Sequence, residues 1–294
     1  MSKVPFPKPS TSPEEQIALL LKRGIAITDS AAAQHYLTYH NYYHVSGYIF
    51  YFEKKEPART HVLARPVSFE NIVELVRFDQ ILREHFWSAV LSIEAALRSV
   101  TAREISMRYG PFCLENPAIY RNPAAHQQLM DKLRQALTEH RNEPFISHFS
   151  NKYREPIPPV WVMIEVLTFG TISRLYSQLT TDLQKRIARS FSVDHIILVS
   201  WLKALTELRN SCAHHARLWN KVFVNYPKIR SADKEFPLMP QRHSRLGSFI
   251  PLVRHLLGVV GEKIDWMKEL QGLVGGNRMI RPEDMGLSTW NIVP

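Results

Sequence analysis

An all-α fold follows from three features of the sequence. Glycine is scarce, with 11 in 294 residues, too few for a chain rich in tight hairpin turns. Apolar residues recur at three- and four-residue steps from Ile72 to Val100, the period of one helix face. Helix-opening and helix-ending residues bracket the other segments. Hydrophobic residues at 45% and charged residues at 22% are a globular balance that excludes disorder as the default. The length suffices for one large domain or two small ones, and no internal repeat, heptad array or low-complexity tract is present.

The proline-broken start, Met1 to Pro9, lacks the apolar run of a signal peptide. Ser12-Pro13-Glu14-Glu15 reads as N-cap, first-turn proline and acidic first turn, opening a short arm helix through Leu21 that stops at Gly24. Asp29-Ser30 opens a second helix. The aromatic stretch Tyr42 to Phe52 fits either a strand or a buried helix. Ser68 caps a long helix reaching Arg108, ended by Gly110-Pro111 and carrying Ile72, Leu75, Leu82, Phe86, Val90, Ile93, Leu97 and Val100 on one stripe. Asp79 with Arg83, and Glu94 with Arg98, are i,i+4 pairs about 60° apart around the axis, so both share one side. Ala124 to His140 is a polar amphipathic helix, and Arg154 to Pro159 a stiff linker. Val160 to Leu179 reads as an apolar helix interrupted at Gly170, with Glu165 as its isolated acid, expected to be shielded and hydrogen-bonded. Thr180-Thr181-Asp182 caps the next helix. A core helix from Asp194 carries Ile197, Trp201, Leu205, Leu208 and Cys212, and a final helix spans Ser248 to Leu273. The boundaries are therefore an N-terminal arm and aromatic segment at 1–67, a helical core at 68–225, and a basic, proline-containing extension at 226–294.

The net charge is +10 with 13 histidines neutral, and the pI is near 9.6. That excess points to a polyanionic partner, nucleic acid before membrane. No stretch is apolar over the length of a membrane span. Cys113 and Cys212 offer neither a disulfide framework nor paired zinc spacing, which fits a reducing cytoplasm. Glycine-rich nucleotide loops are absent, and no short helix-turn-helix with a glycine turn marks a DNA regulator.

Candidate chemistry concentrates in Leu205 to Asn220, where Arg209, Asn210, His214, His215, Arg217 and Asn220 lie within one short segment. On a straight helix Asn210, His214 and Arg217 share a stripe, whereas Arg209 and His214 diverge by about 140°. Such a stripe also describes a solvated helix face on a basic protein. Tyr43, Ser46 and Tyr48 offer groups that stack on or hydrogen-bond RNA, or core packing, and Glu94 with Arg98 offers a buried polar support or a surface pair. Neighbouring His214 and His215 point about 100° apart and lack a carboxylate cluster, so no metal site is expected.

Arg209-Asn210-Ser211-Cys212-Ala213-His214 resembles the R-x-x-x-x-H motif of the HEPN superfamily. Its surroundings, in order, are Tyr43-His44-Val45-Ser46-Gly47-Tyr48, Phe78-Asp79 with Arg83, Ile93-Glu94 with Arg98, Pro159-Val160-Trp161 with Glu165 and Phe169-Gly170, and Arg217-Leu218-Trp219-Asn220. Over about residues 15 to 225 they resemble the Abi-like proteins of bacterial abortive infection, AbiD/AbiF type. The resemblance implies a HEPN-like helical bundle with additional N- and C-terminal helical segments. It also implies a metal-independent ribonuclease toxin, without cofactor, in which Arg209 and His214 of two protomers meet across a homodimer interface. Supporting or RNA-binding roles would fall to Asn210, His215, Arg217, Glu94, Arg98, Tyr43 and Tyr48, and Leu218 and Trp219 would anchor the interface. The rival is a non-catalytic basic helical protein that binds a structured non-coding RNA, with Arg209 and His214 packed against the chain's own carboxylates.

Overall fold

A computed structural model describes residues 9–55, 60–261 and 265–292; the proline-rich start up to residue 8 lies outside them. Among the described residues there are α-helices and short 3-10 turns, joined by isolated bridges, and no strand. The all-α expectation holds. The chain divides into two compact units, residues 1–81 and 82–294.

In the first unit α1 (Pro13–Lys22) has a complete capping box, Ser12 and Glu15 each satisfying the other's backbone N–H. It packs against α2 (Ser30–Tyr39), whose N-cap Asp29 accepts from Ala32 N–H. The aromatic stretch resolves as a helix, α3 (Tyr42–Phe52). Val45, Tyr48, Ile49 and Phe52 are its buried residues, and steps of three, one and three are a helix face, which no strand would bury together. The Asn41 side chain caps α3 on Tyr43 N–H at 2.8 Å. Tyr48 is 1% exposed, and its hydroxyl donates to Asp79 Oδ2 at 2.8 Å. Glu70, near the start of α4 (Phe69–Tyr109), accepts the N–H groups of Thr28 and Asp29. Against the upward push of desolvation, those and its other hydrogen bonds hold its carboxyl down at about 2.

In the second unit, the later turns of α4 bury Leu82, Phe86, Val90, Ile93 and Leu97, the stripe read from sequence, until left-handed Gly110 ends the helix. The following helices are α5 (Pro123–Glu139), α6 (Pro144–Lys152), α7 (Val160–Met163), α8 (Phe169–Gln178), α9 (Thr181–Ser190) and α10 (His195–Ala213). Helix α10 packs on α8 and α9, and α8 also meets α5. The expected apolar helix from Val160 breaks earlier than Gly170. A 3-10 turn at Ile164–Val166 and extended Leu167 precede Thr168, whose hydroxyl caps Thr171 N–H at 3.2 Å. Glu165 consequently lies on a turn with its side chain exposed, not shielded as expected.

The final helical stretch is also two elements, α11 (Phe249–Val260) and α12 (Trp266–Gly275), because left-handed Gly261 caps α11. Both are tied to earlier helices. His255 on α11 bonds Phe191 O, and the Trp266 indole donates to His85 O while stacking on its ring at 4.9 Å. Gly286 has φ +82°, and a Cβ there would meet Arg242 O at 2.7 Å, so both conformation and space require glycine.

Candidate functional site

The C-terminal end of helix α10 is the candidate site. The apolar face of the helix sinks Leu198, Trp201, Leu202, Leu205 and Leu208 into the core, which leaves Arg209, Asn210 and His214 toward solvent. The end is closed by two bonds, His215 N–H to Cys212 O and Ala216 N–H to Ser211 O. That is the Schellman arrangement, which puts the residue after the cap in the left-handed region. Here it is His215, φ +53°, where glycine is the usual occupant. His214 is the cap itself, and its exposed ring has no hydrogen-bond or ion-pair partner among the described residues.

Arg209 is more constrained. Its Nε lies 3.7 Å from Glu94 Oε2, and its Cζ stands 5.3 Å from the centre of the Trp87 ring. Neither Nε nor Oε2 has a hydrogen bond, although both atoms are buried. The other Glu94 oxygen pairs with Arg98, which also donates to Ile164 O and, at 3.3 Å, to Glu165 O. Glu94 thus stands between two arginines, and Arg98 ties α4 to the turn after α7. The sequence pairing of Glu94 with Arg98 is present as a mostly buried pair.

The two motif residues open onto different spaces. His214 and Asn210 line a groove of about 1130 Å³ between α5, α8 and α10. Arg209 lines a neighbouring cavity of about 730 Å³ with Arg98, His140, Phe145 and Trp161. Val166, Leu167, Thr168 and His140 border both, so the early break before α8 forms the wall between them. The divergence calculated for a straight helix therefore persists within one chain. Lys132, Arg174 and Lys203 also line the groove, and none has an ion-pair partner among the described residues. Lys221 there is compensated, lying 3.7 Å from Glu207 and donating to Ser211 Oγ. Glu207 in turn holds the N–H groups of Val224 and Asn225.

Residues 35–220 match the family of Abi-like proteins, which is more than half of the chain. The chain belongs to the Abi-like family. No curated protein and no solved structure gives a match.

Of the residues singled out in this Abi-like protein, α10 and α4 bring together Arg209, Glu94 and Arg98, while Asn210 and His214 line the adjoining groove. Arg217 lies two residues beyond His215 and is half-buried. Tyr43 is 85% exposed and available for stacking, whereas Tyr48 is core, which removes it from any surface role. Leu218 and Trp219 are fully buried and cannot anchor an interface. Among the described residues, the large apolar side chains exposed beyond the motif are Val222, Val224 and Tyr226. Lys132, Arg174 and Lys203 escaped the sequence reading because each looks like an ordinary polar-face cation until three helices bring them to one groove.

Proposed function

We propose that this Abi-like protein is a metal-independent endoribonuclease of the HEPN type, acting as a homodimeric toxin in abortive-infection defence against phage. The observation that carries the reading is the exposed end of α10, where His214 opens onto a groove lined by the uncompensated cations Lys132, Arg174 and Lys203. Unpaired cations in a groove attract a phosphate backbone. A neutral histidine accepts the ribose 2′-OH proton as that oxygen attacks phosphorus. The bond to the 5′-oxygen breaks, and the imidazolium so formed returns its proton to that oxygen. Products are a 2′,3′-cyclic phosphate and a free 5′-OH. Arginine stabilises the charge that builds on the phosphoryl oxygens. Because Arg209 and His214 of one chain face separate cavities, the arginine and histidine acting on one phosphate come from two protomers.

The test incubates purified protein with cellular RNA. Wild type cleaves in the presence of EDTA and leaves cyclic phosphate ends, whereas Arg209→Ala and His214→Ala do not cleave and keep near-native melting temperatures, since both groups are at least partly exposed. Full activity in His214→Ala, or magnesium-dependent activity, overturns the reading.

A second reading, a non-catalytic protein that binds a structured non-coding RNA, draws on one observation. Arg209 already has a carboxylate partner within its own chain, Glu94. RNA binding by wild type without any cleavage decides for it.

A further inference from the structure

The smaller cavity holds a combination that phosphate chemistry does not use. Trp161 and Phe145 line it and are 51% and 44% exposed. Both are turned outward by their helices: α7 buries Val160 and Met163 and α6 buries Ile146 and Phe149, leaving these rings on the opposite sides. Two large aromatics kept in water beside one cavity form a stacking surface. Glu143 and Glu165 line the same space, both exposed and neither with a side-chain partner among the described residues. Unpaired carboxylates oppose a phosphate at this position and accept hydrogen bonds from N–H donors. The complementary ligand is flat, with π faces and N–H groups on its edge. The volume of about 730 Å³ is in the range of small-molecule sites.

We propose that this cavity is a subsite for one unstacked nucleobase of single-stranded RNA, stacked on Trp161 and Phe145, with its amino-bearing edge read by Glu143 and Glu165. Arg209, on the same wall, then reaches the adjoining phosphate. The base must carry an exocyclic amino group. Guanine fits best, because its N1–H and N2–H donors lie side by side as a carboxylate requires, whereas the single N–H of uracil is flanked by two carbonyls that repel one. The inference rests on the RNA-binding part of the proposed function, not on catalysis.

Calorimetric titration of the full-length His214→Ala protein with GMP, AMP, CMP and UMP tests it. The amino-bearing nucleotides bind more tightly than UMP, GMP the most. Trp161→Ala in that background weakens them at least about fivefold, the loss expected for one stacked base. Trp161→Phe retains the binding, and the double change Glu143→Gln with Glu165→Gln narrows the gap to UMP. Three results overturn the proposal: no nucleotide binding, UMP binding as well as GMP, or Trp161→Ala binding like its parent. The last would leave the aromatic pair free to cover a second copy of the chain. Cleavage of RNA by wild type without nucleotide binding removes the subsite and keeps the ribonuclease; nucleotide binding without cleavage removes the ribonuclease and keeps the subsite.

Discussion

At His255 both ring nitrogens are committed. Nε2 donates to Phe191 O at 2.9 Å, so Nδ1 is the acceptor for the Arg230 guanidinium at 2.8 Å, and Arg230 itself forks onto Asp233. A proton on Nδ1 would set two donors against each other. Burial first, with Arg230 adding to it, lowers the His255 pKa from its ordinary 6.5. His85 is lowered too, chiefly by burial. A lowered histidine pKa means that the unfolded chain binds the proton more readily, so stability is full above about 6.5 and falls as pH drops below it. Melting temperature should therefore decline from pH 7.5 to 5.5. In His255→Gln, which cannot titrate, the decline should be shallower, so the wild-type advantage shrinks on acidification. Parallel curves for the two proteins would remove His255 as a source of the dependence. At Glu94 the consequence is different in kind. One carboxylate between Arg98 and Arg209 balances two cations in a partly buried place, and removing it leaves both without a counter-charge.

Helix α8 shows how the elements frame the site and what the sequence could not disclose. Gly170 looks like the break in an apolar run, yet it sits inside the first turn of α8, where a Cβ would lie 3.4 Å from Thr206 of α10. That is ordinary van der Waals contact, so Gly170 neither breaks the helix nor is demanded by the space around it. The stop is set instead by Thr168, whose hydroxyl takes Thr171 N–H. Removing that cap in Thr168→Ala should cost about 1 kcal/mol, read as a lower midpoint in urea unfolding with an unchanged slope. An unchanged midpoint would show that packing alone holds the break. The same contrast runs through the chain. Elements with a cap or a long apolar stripe, α1, α2, α4 and α10, were legible from residue spacing alone, the end of α4 at Gly110 included. The strand-or-helix ambiguity at Tyr42–Phe52 fell to the burial of Val45, Tyr48, Ile49 and Phe52 together. The split between α11 and α12, the exposure of Glu165 and the burial of Trp219 depend on tertiary context. Arg209 and His214 were legible as a motif; the cations and aromatic rings around them are gathered from α5, α6, α7, α8 and α10, and no local pattern records that.

Across the whole molecule, a charge of +10 and uncompensated cations in one groove support the proposed RNA binding, which would weaken with salt, but charge alone does not assemble a reaction centre. The proposed assembly rests on the geometry of α10. Arg209 and His214 open onto spaces divided by the Val166–Thr168 wall; in the dimer proposed above, a two-fold axis beside the helix end would bring two copies of each together, the commonest form of oligomer. The contact cannot use Leu218 or Trp219, which are inside; Val222, Val224 and Tyr226 are the exposed apolar residues next in the chain. If the arginine and histidine acting on one phosphate belong to different protomers, Arg209→Ala and His214→Ala proteins are each inactive, and mixing them under subunit exchange restores part of the cleavage. In a mixed dimer the intact Arg209 of one chain then faces the intact His214 of the other. Sedimentation must show a dimer at the assay concentration, and aspartate at Val224 should lower both the dimer fraction and the activity. A fully active species that sediments as a monomer would refute the composite centre and return both groups to a single chain, with a rearrangement of the Glu94 pair needed to bring Arg209 over to His214.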